Sequence, residues 1–396
     1  MIERRQTVSV TAVSDLYWRL IVSSVLVVSV STLPAFITAA SIAQAGPELG
    51  YGAQELGFLT SIFFLTAAVS SSLIGNLVER IGWYRTMRFN ALAASALLFI
   101  IATAVQNVWA LGLALALTAS IYGAANPAAN LALARHIPAD RRGLVFGIKH
   151  AGIPTASLLA GIAVPAVVLT LGWRWAYAFG ACIAVGVFWL IPNRSDDGTR
   201  VEATNLPKPM NSRWLAVLGL GSGFATLAAG ILGTFHVDAA ITYGFSEANA
   251  GTLLATASLA TIMARAGYGY LADRTMAGGL GFMIWLAALG AISFFVLGTT
   301  RSAWFVVFTL LAFSTGWGWP GLLTYGVVRA NAGRPAGSTA ITQAGIFLGA
   351  GAGPALFGWL IENHSYQAAW TVTGVSLLLA AALVALVRAQ GMPARA

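Results

Sequence analysis

The chain has 396 residues, of which 58% are hydrophobic and only 9% charged. A water-soluble chain of this length carries roughly a quarter charged residues, so a soluble globular fold is excluded and lipid must cover much of the surface. The net charge of +9 invites a nucleic-acid partner, but the arrangement of the basic residues along the chain argues against one.

The apolar residues come in long blocks, and a block of about 20 spans a bilayer. In chain order the predicted spans are 17–40, 53–77, 86–106, 108–133, 144–170, 174–191, 214–237, 248–271, 279–299, 303–328, 337–360 and 366–388. They are too long for barrel strands and lack in-out alternation, so they read as helices. Residues 1–15 are too polar for a cleavable signal, and the first apolar run is long enough to stay as an anchor. The polar stretch 192–213, with three prolines and mixed charge, reads as a cytoplasmic linker. The expected fold is an all-α membrane protein of twelve helices, with six-helix bundles at 1–191 and 214–396.

With both termini inside, 17 of the 22 Lys and Arg fall in inner loops, among them Arg85, Arg135, Arg141 and Arg334, while the outer loops hold only Arg174 and Arg301. That asymmetry predicts cytoplasmic termini. The basic character therefore reports topology and not a nucleic-acid partner. The expected location is a bacterial-type inner membrane.

The two parts repeat at a shift of 194 residues. Gly50 matches Gly244, Gly57 matches Gly251, GNLVER (Gly75 to Arg80) matches GYLADR (Gly269 to Arg274), and Arg135 matches Arg329. Six spans per part give both the same orientation, related by an axis along the membrane normal.

The stretch GNLVERIGWYR, Gly75 to Arg85, resembles the signature that follows the second span in the major facilitator superfamily, with Glu79 where Asp is usual. Its second copy keeps Asp273 and Arg274 and loses the following Gly. The resemblance implies a transporter of the alternating-access type. It implies a latch on the cytoplasmic side formed by Glu79, Arg80, Asp273 and Arg274 beside Gly75. A plain topogenic charge cluster is the other reading of these residues.

Ionisable residues at membrane depth are costly and are candidate functional groups. Lys149 lies seven residues beyond Arg142, roughly 10 Å into the membrane, and Arg265 lies eight residues before Asp273, about 12 Å in. No membrane-buried acid stands near them in the sequence. Two such cations suit an anion, and an arginine fork suits a carboxylate. IMARAGYGYLAD, Ile262 to Asp273, is similar to the eighth span of monocarboxylate and oxalate–formate carriers, where an Arg four residues before the Gly binds the substrate carboxylate. Arg265 and Gly269 match that spacing. The monocarboxylate carriers have Asp four residues before this Arg, and here the position is Thr261, so the proton-coupling role of that Asp does not carry over.

Alternatives stand beside these readings. Lys149 can snorkel to the interface, Arg265 can pair with helix-end carbonyls, and His150 can be a packed imidazole. Gln343 falls on Lys149 at the 194-residue offset and joins the candidate site, as does Asn126 in YGAANPAAN of span four. Trp317, Trp319 and Tyr325 in GWGWPGLLTY of span ten wall a pocket or pack against neighbours. Pro127 and Pro320 should kink or break their helices. His236 and Asp238 at the outer end of span seven are proton-coupling candidates or an outer-loop charge pair. Gly345, Gly349 and Gly353 form a close-packing face. Cys182, the single cysteine, should pack as a small apolar residue.

The sequence carries no phosphate loop, no metal-spaced His/Cys cluster and no catalytic triad, which argues against an enzyme, a cofactor and an ATP-driven pump. The expectation is a secondary transporter of a small organic anion, proton-coupled, acting as a monomer in the lipid bilayer. Proton-driven efflux of hydrophobic compounds is the alternative.

Overall fold

The computed structural model describes residues 10–137, 142–193, 212–274, 278–301, 303–330 and 335–390. The side chains of Glu79, Arg142, Asp273 and Arg274, and the surroundings of Gly75, lie outside the described residues, and so do Arg141 and Arg334. The latch expected from these residues is therefore not described; Arg80 is exposed.

The described elements are helical. In order they are α1 (Val10–Ala40), α2 (Ile42–Leu49), α3 (Ala53–Ile81), α4 (Trp83–Ala104), α5 (Val108–His136), α6 (Arg142–Lys149), α7 (Gly152–Ala163), a π turn at Val164–Val168, α8 (Leu169–Leu171) and α9 (Trp173–Leu190). Then follow α10 (Ser212–Thr242), α11 (Glu247–Arg274), α12 (Gly278–Leu297), α13 (Ala303–Leu311), a second π turn at Ala312–Gly316, α14 (Pro320–Ala330), α15 (Pro335–Asn363) and α16 (Tyr366–Ala389). Among the described residues, 11 helical stretches are long and apolar enough to cross a membrane. They match the predicted spans within a few residues. The exception is span 248–271, which forms α11 but falls below that apolar level because of its serines, threonines, glycines and Arg265.

α1 lies at the centre. Of its apolar window, 78% is buried, and it packs on α5, α7, α9 and α10. Three of its buried hydroxyls, Ser31, Thr32 and Thr38, each donate to the carbonyl four residues earlier. Trp18, Trp109, Trp189 and Trp304 are exposed near helix ends, as interfacial tryptophans are. Cys182 faces outward from α9 and is exposed. Buried positions near it on that helix are taken by Ala181 and Ala184.

The paired glycines have matching jobs. Gly50 and Gly244 both take a left-handed turn, with φ of 78° and 93°, after the helices that precede α3 and α11. A side chain there would be strained. Gly57 on α3 sits against the Pro354 carbonyl of α15, and Gly251 on α11 sits against Val164 and the Gly161 carbonyl. At both contacts a Cβ would collide, so helices close to backbone distance at the N-terminal ends of α3 and α11. Gly345 and Gly349 press in the same way on the Gly219 and Gly223 carbonyls of α10.

At that same end, α2 is tied to α9. Glu48 accepts from Arg174 at 2.7 Å and from the Trp173 indole at 2.7 Å, and Arg174 also donates to the Val105 carbonyl at 2.9 Å. The Trp173 hydrogen bond, together with Arg174, holds the Glu48 carboxyl below its ordinary value of 4.5.

Candidate functional site

Two helix breaks face each other across α11. The first separates α6 from α7 at His150 and Ala151. Pro154 stands one turn on and has no N–H to give the His150 carbonyl. The second break is the π turn followed by a non-helical turn at Trp317–Trp319, after which Pro320 opens α14. Gly318 is needed there, because a Cβ would strike the Ser314 carbonyl and come within 2.8 Å of the Tyr268 ring. Pro127, in contrast, lies inside an unbroken α5. α3 packs closely there, and its Ser70 would lie 2.7 Å from a Cβ on Gly123.

Arg265 fills the space between the breaks. It is 6% exposed. Its Nε and Nη2 donate to the Trp317 carbonyl at 3.2 and 2.7 Å, and its Nη1 donates to the His150 carbonyl. One guanidinium thus satisfies backbone acceptors on both broken segments. The expectation that Arg265 pairs with helix-end carbonyls near Asp273 is corrected in location: the carbonyls belong to two other helices. Each would cost about 1–3 kcal/mol if left buried and unpaired.

Lys149, 3% exposed, donates from Nζ to Asn126 Oδ1 at 2.5 Å. It therefore turns to α5 and is shielded from solvent in this structure. His150 is partly buried and lies in the field of both Lys149 and Arg265. Among the described residues, neither cation has a carboxylate within ion-pair distance. Arg19, the third cation near a span, is accounted for by carbonyls at the end of α9, chiefly Leu190 at 3.2 Å.

A small cavity adjoins Arg265, lined also by Gly147, Tyr268, Gly269, Gly318 and Tyr325. Its water-sized space is about 20 Å³, room for roughly one water. Tyr325 belongs to this lining as expected. The Trp317 ring packs instead on Phe36 and Phe313, and Trp319 is buried at 1% exposure; neither lines the cavity. Gln343 is half-buried on α15 and lies outside the lining. Tyr268 was missed from the sequence. Its position three residues after Arg265 on one helix face was the available signal.

His236 and Asp238 are not brought together. His236 is fully buried, stacked on Phe305 at 5.5 Å and edge-on to Phe313. Asp238 accepts a hydrogen bond from the Tyr366 hydroxyl at the start of α16. Neither is an outer-loop charge: both lie on α10.

Residues 21–341 match the family model of the Major Facilitator Superfamily. An uncharacterized MFS-type transporter of Mycobacterium tuberculosis (strain CDC 1551 / Oshkosh) is 25% identical over 393 residues, covering 91% of this chain and 84% of the relative. Among solved structures, a bacterial homolog of the human lysosomal transporter Spinster, inward-facing and occupied, has a TM-score of 0.70 at 16% identity, covering 96% of this chain and 99% of that one. A D-xylose-proton symporter has a TM-score of 0.71 at 16% identity, covering 93% and 97%. These two likenesses speak for the fold alone. With the family match running over most of its length, the chain belongs to the Major Facilitator Superfamily and is a multi-pass membrane transporter.

Proposed function

We propose that this protein is a secondary active transporter of a small organic anion, a carboxylate, driven by protons through alternating access. In this reading twelve spans form two six-helix bundles, 1–191 and 214–396, joined by the linker 192–213. The matched roles of Gly50 with Gly244 and of Gly57 with Gly251 support the two-bundle division. With both termini cytoplasmic, the backbone-close contacts of α3 with α15 and of α7 with α11 seal the outer end, and the cavity at Arg265 faces inward.

One observation carries the substrate class: Arg265 and Lys149 are buried cations near one imidazole with no carboxylate partner among the described residues. A buried charge left unneutralised is costly, and an anionic solute supplies the missing charge. A guanidinium has five N–H groups. Three of them serve the Trp317 and His150 carbonyls. One N–H therefore remains on each terminal nitrogen to donate to a carboxylate. Lys149 keeps two of its three donors after Asn126. Asp238, hydrogen-bonded to Tyr366, and His236 are the proton-coupling candidates.

Proteoliposomes holding the purified protein test this. Pyruvate, oxalate and succinate, each alone, should be screened for uptake and thermal stabilisation. At least one should accumulate under an imposed inward proton gradient, and Arg265→Ala should abolish both effects. Stabilisation by cations only would sink the anion reading. Carboxylate flux indifferent to the gradient would remove the proton coupling and leave the substrate class standing.

A further inference from the structure

Thr261 and Arg265 are four residues apart on α11 and so share a face. Their partners, Phe313 and Trp317, are also four apart: Phe313 lies within the π turn and Trp317 directly follows it. The Thr261 hydroxyl lies 2.9 Å from the Phe313 carbonyl and 3.1 Å from the Ala257 carbonyl of its own helix, and its single proton serves both. Arg265 Nη2 stands 2.7 Å from the Trp317 carbonyl. Thr261 is fully buried. α11 thus lends side-chain donors to a stretch of chain whose own helical ladder is interrupted. A broken helix within a membrane is tolerated because neighbouring helices and Ser/Thr side chains re-satisfy the freed backbone groups.

We infer that Thr261 is a positioning residue for Arg265: its hydroxyl fixes the π turn, so that the Trp317 carbonyl holds the guanidinium with its two spare N–H groups at the cavity. This rests on the carboxylate reading for the ligand, but the splint itself is a property of the backbone. The hydroxyl carries no charge, so it steadies the frame without neutralising the cation that the ligand is to meet.

Two substitutions separate the roles. Thr261→Val keeps the shape and removes the donor, and Thr261→Ser keeps the donor. Full-length protein is purified, and amide hydrogen exchange is followed over 313–323. In parallel, half-saturation and maximal rate are measured for whichever of pyruvate, oxalate and succinate is transported. Thr261→Val should speed exchange over that stretch and raise half-saturation by about 5- to 30-fold, the effect of one lost buried hydrogen bond. The maximal rate should stay within about twofold, and Thr261→Ser should restore both readings. A Thr261→Val protein that melts earlier with half-saturation unchanged would reduce Thr261 to ordinary packing and overturn the inference. Failure of Thr261→Ser to restore would overturn it too. If none of the three acids binds the unaltered protein, the carboxylate reading falls, yet faster exchange in Thr261→Val, reversed by Thr261→Ser, still upholds the splint. Thr261→Ala serves if the valine variant does not fold.

Discussion

Pro154 sets the hydrogen bonding of His150. The proline stands four residues after the histidine and lacks the N–H that an unbroken helix would supply. The released carbonyl takes its proton from Arg265, which comes from the other side of the linker. A backbone defect in one part of the chain is thus satisfied by a charge in the other.

Replacing Pro154 with Ala returns an N–H to that carbonyl and competes with Arg265 for it. We expect thermal stability to hold, since the proline stands in the first turn of α7, where a missing N–H is tolerated. Transport should fall about tenfold as the guanidinium loses one support, a change of ~1.4 kcal/mol. Melting temperature and initial flux on the same preparation check this. A stable variant with unimpaired flux would dissociate the break from transport.

Asn126→Asp sets a carboxylate where the amide oxygen now lies 2.5 Å from Lys149 Nζ. The substitution is nearly isosteric and neutralises the lysine. Affinity for the transported anion should drop by about tenfold or more, ~1.4 kcal/mol, in a protein that still folds. Half-saturation from a substrate titration gives the answer. An unchanged value would show that Lys149 holds α6 to α5 and does not meet the ligand.

Bulk at Gly161 should force open the sealed end. A Cβ there would lie 2.6 Å from the Ala255 nitrogen and 2.8 Å from the Gly251 carbonyl. In a Cys182→Ser background, Ser61→Cys reports on this end, because Ser61 is buried and bonded to the Ala355 amide. Adding Gly161→Leu should raise its labelling by a membrane-impermeant maleimide by about tenfold, an energetic shift of ~1.4 kcal/mol toward the open form. Equal labelling in the two backgrounds would mean that this seam does not gate the end.

The Glu48 bracket has a defined pH window. Its carboxyl is held below the ordinary value by Trp173 and Arg174. A depressed folded value contributes stability above the unfolded value of 4.5 and loses it as pH falls through the folded one. The pair with Arg174 is partly exposed, so the effect should stay under ~1 kcal/mol. Glu48→Gln should melt slightly below the unaltered protein at pH 7, and the two curves should converge on acidification below 4.5. A gap that persists at low pH would assign the difference to the hydrogen-bond geometry rather than to charge.

Much of the fold was legible because lipid imposes length and continuity on each span, and because Gly50 and Gly244 mark one turn made twice. Arg265 was legible for a related reason: a cation at that depth is costly and stands out within an apolar span. Its partners were not, since carbonyls of His150 and Trp317 leave no trace in a side-chain alphabet; Pro320, after the second break, and Pro154, after the first, were the written hints. His236 and Asp238 misled by proximity. Two residues apart on a helix, they point to opposite sides, one into aromatic rings and the other to Tyr366.

α11 has a further consequence, for how the protein is made. It is the one predicted span whose helix is not apolar enough to be counted among the 11, and an arginine near mid-helix adds ~2.5–3.5 kcal/mol to the cost of entering lipid. Such a segment does not partition from the translocon by itself. Its insertion has to wait for partners, with the first part supplying the His150 carbonyl and the Trp317 carbonyl following from the chain made after α11. Chains truncated after α11 and carrying engineered glycosylation sites should then insert α11 only when residues 1–191 precede it. Transport chemistry and biogenesis would share a single side chain.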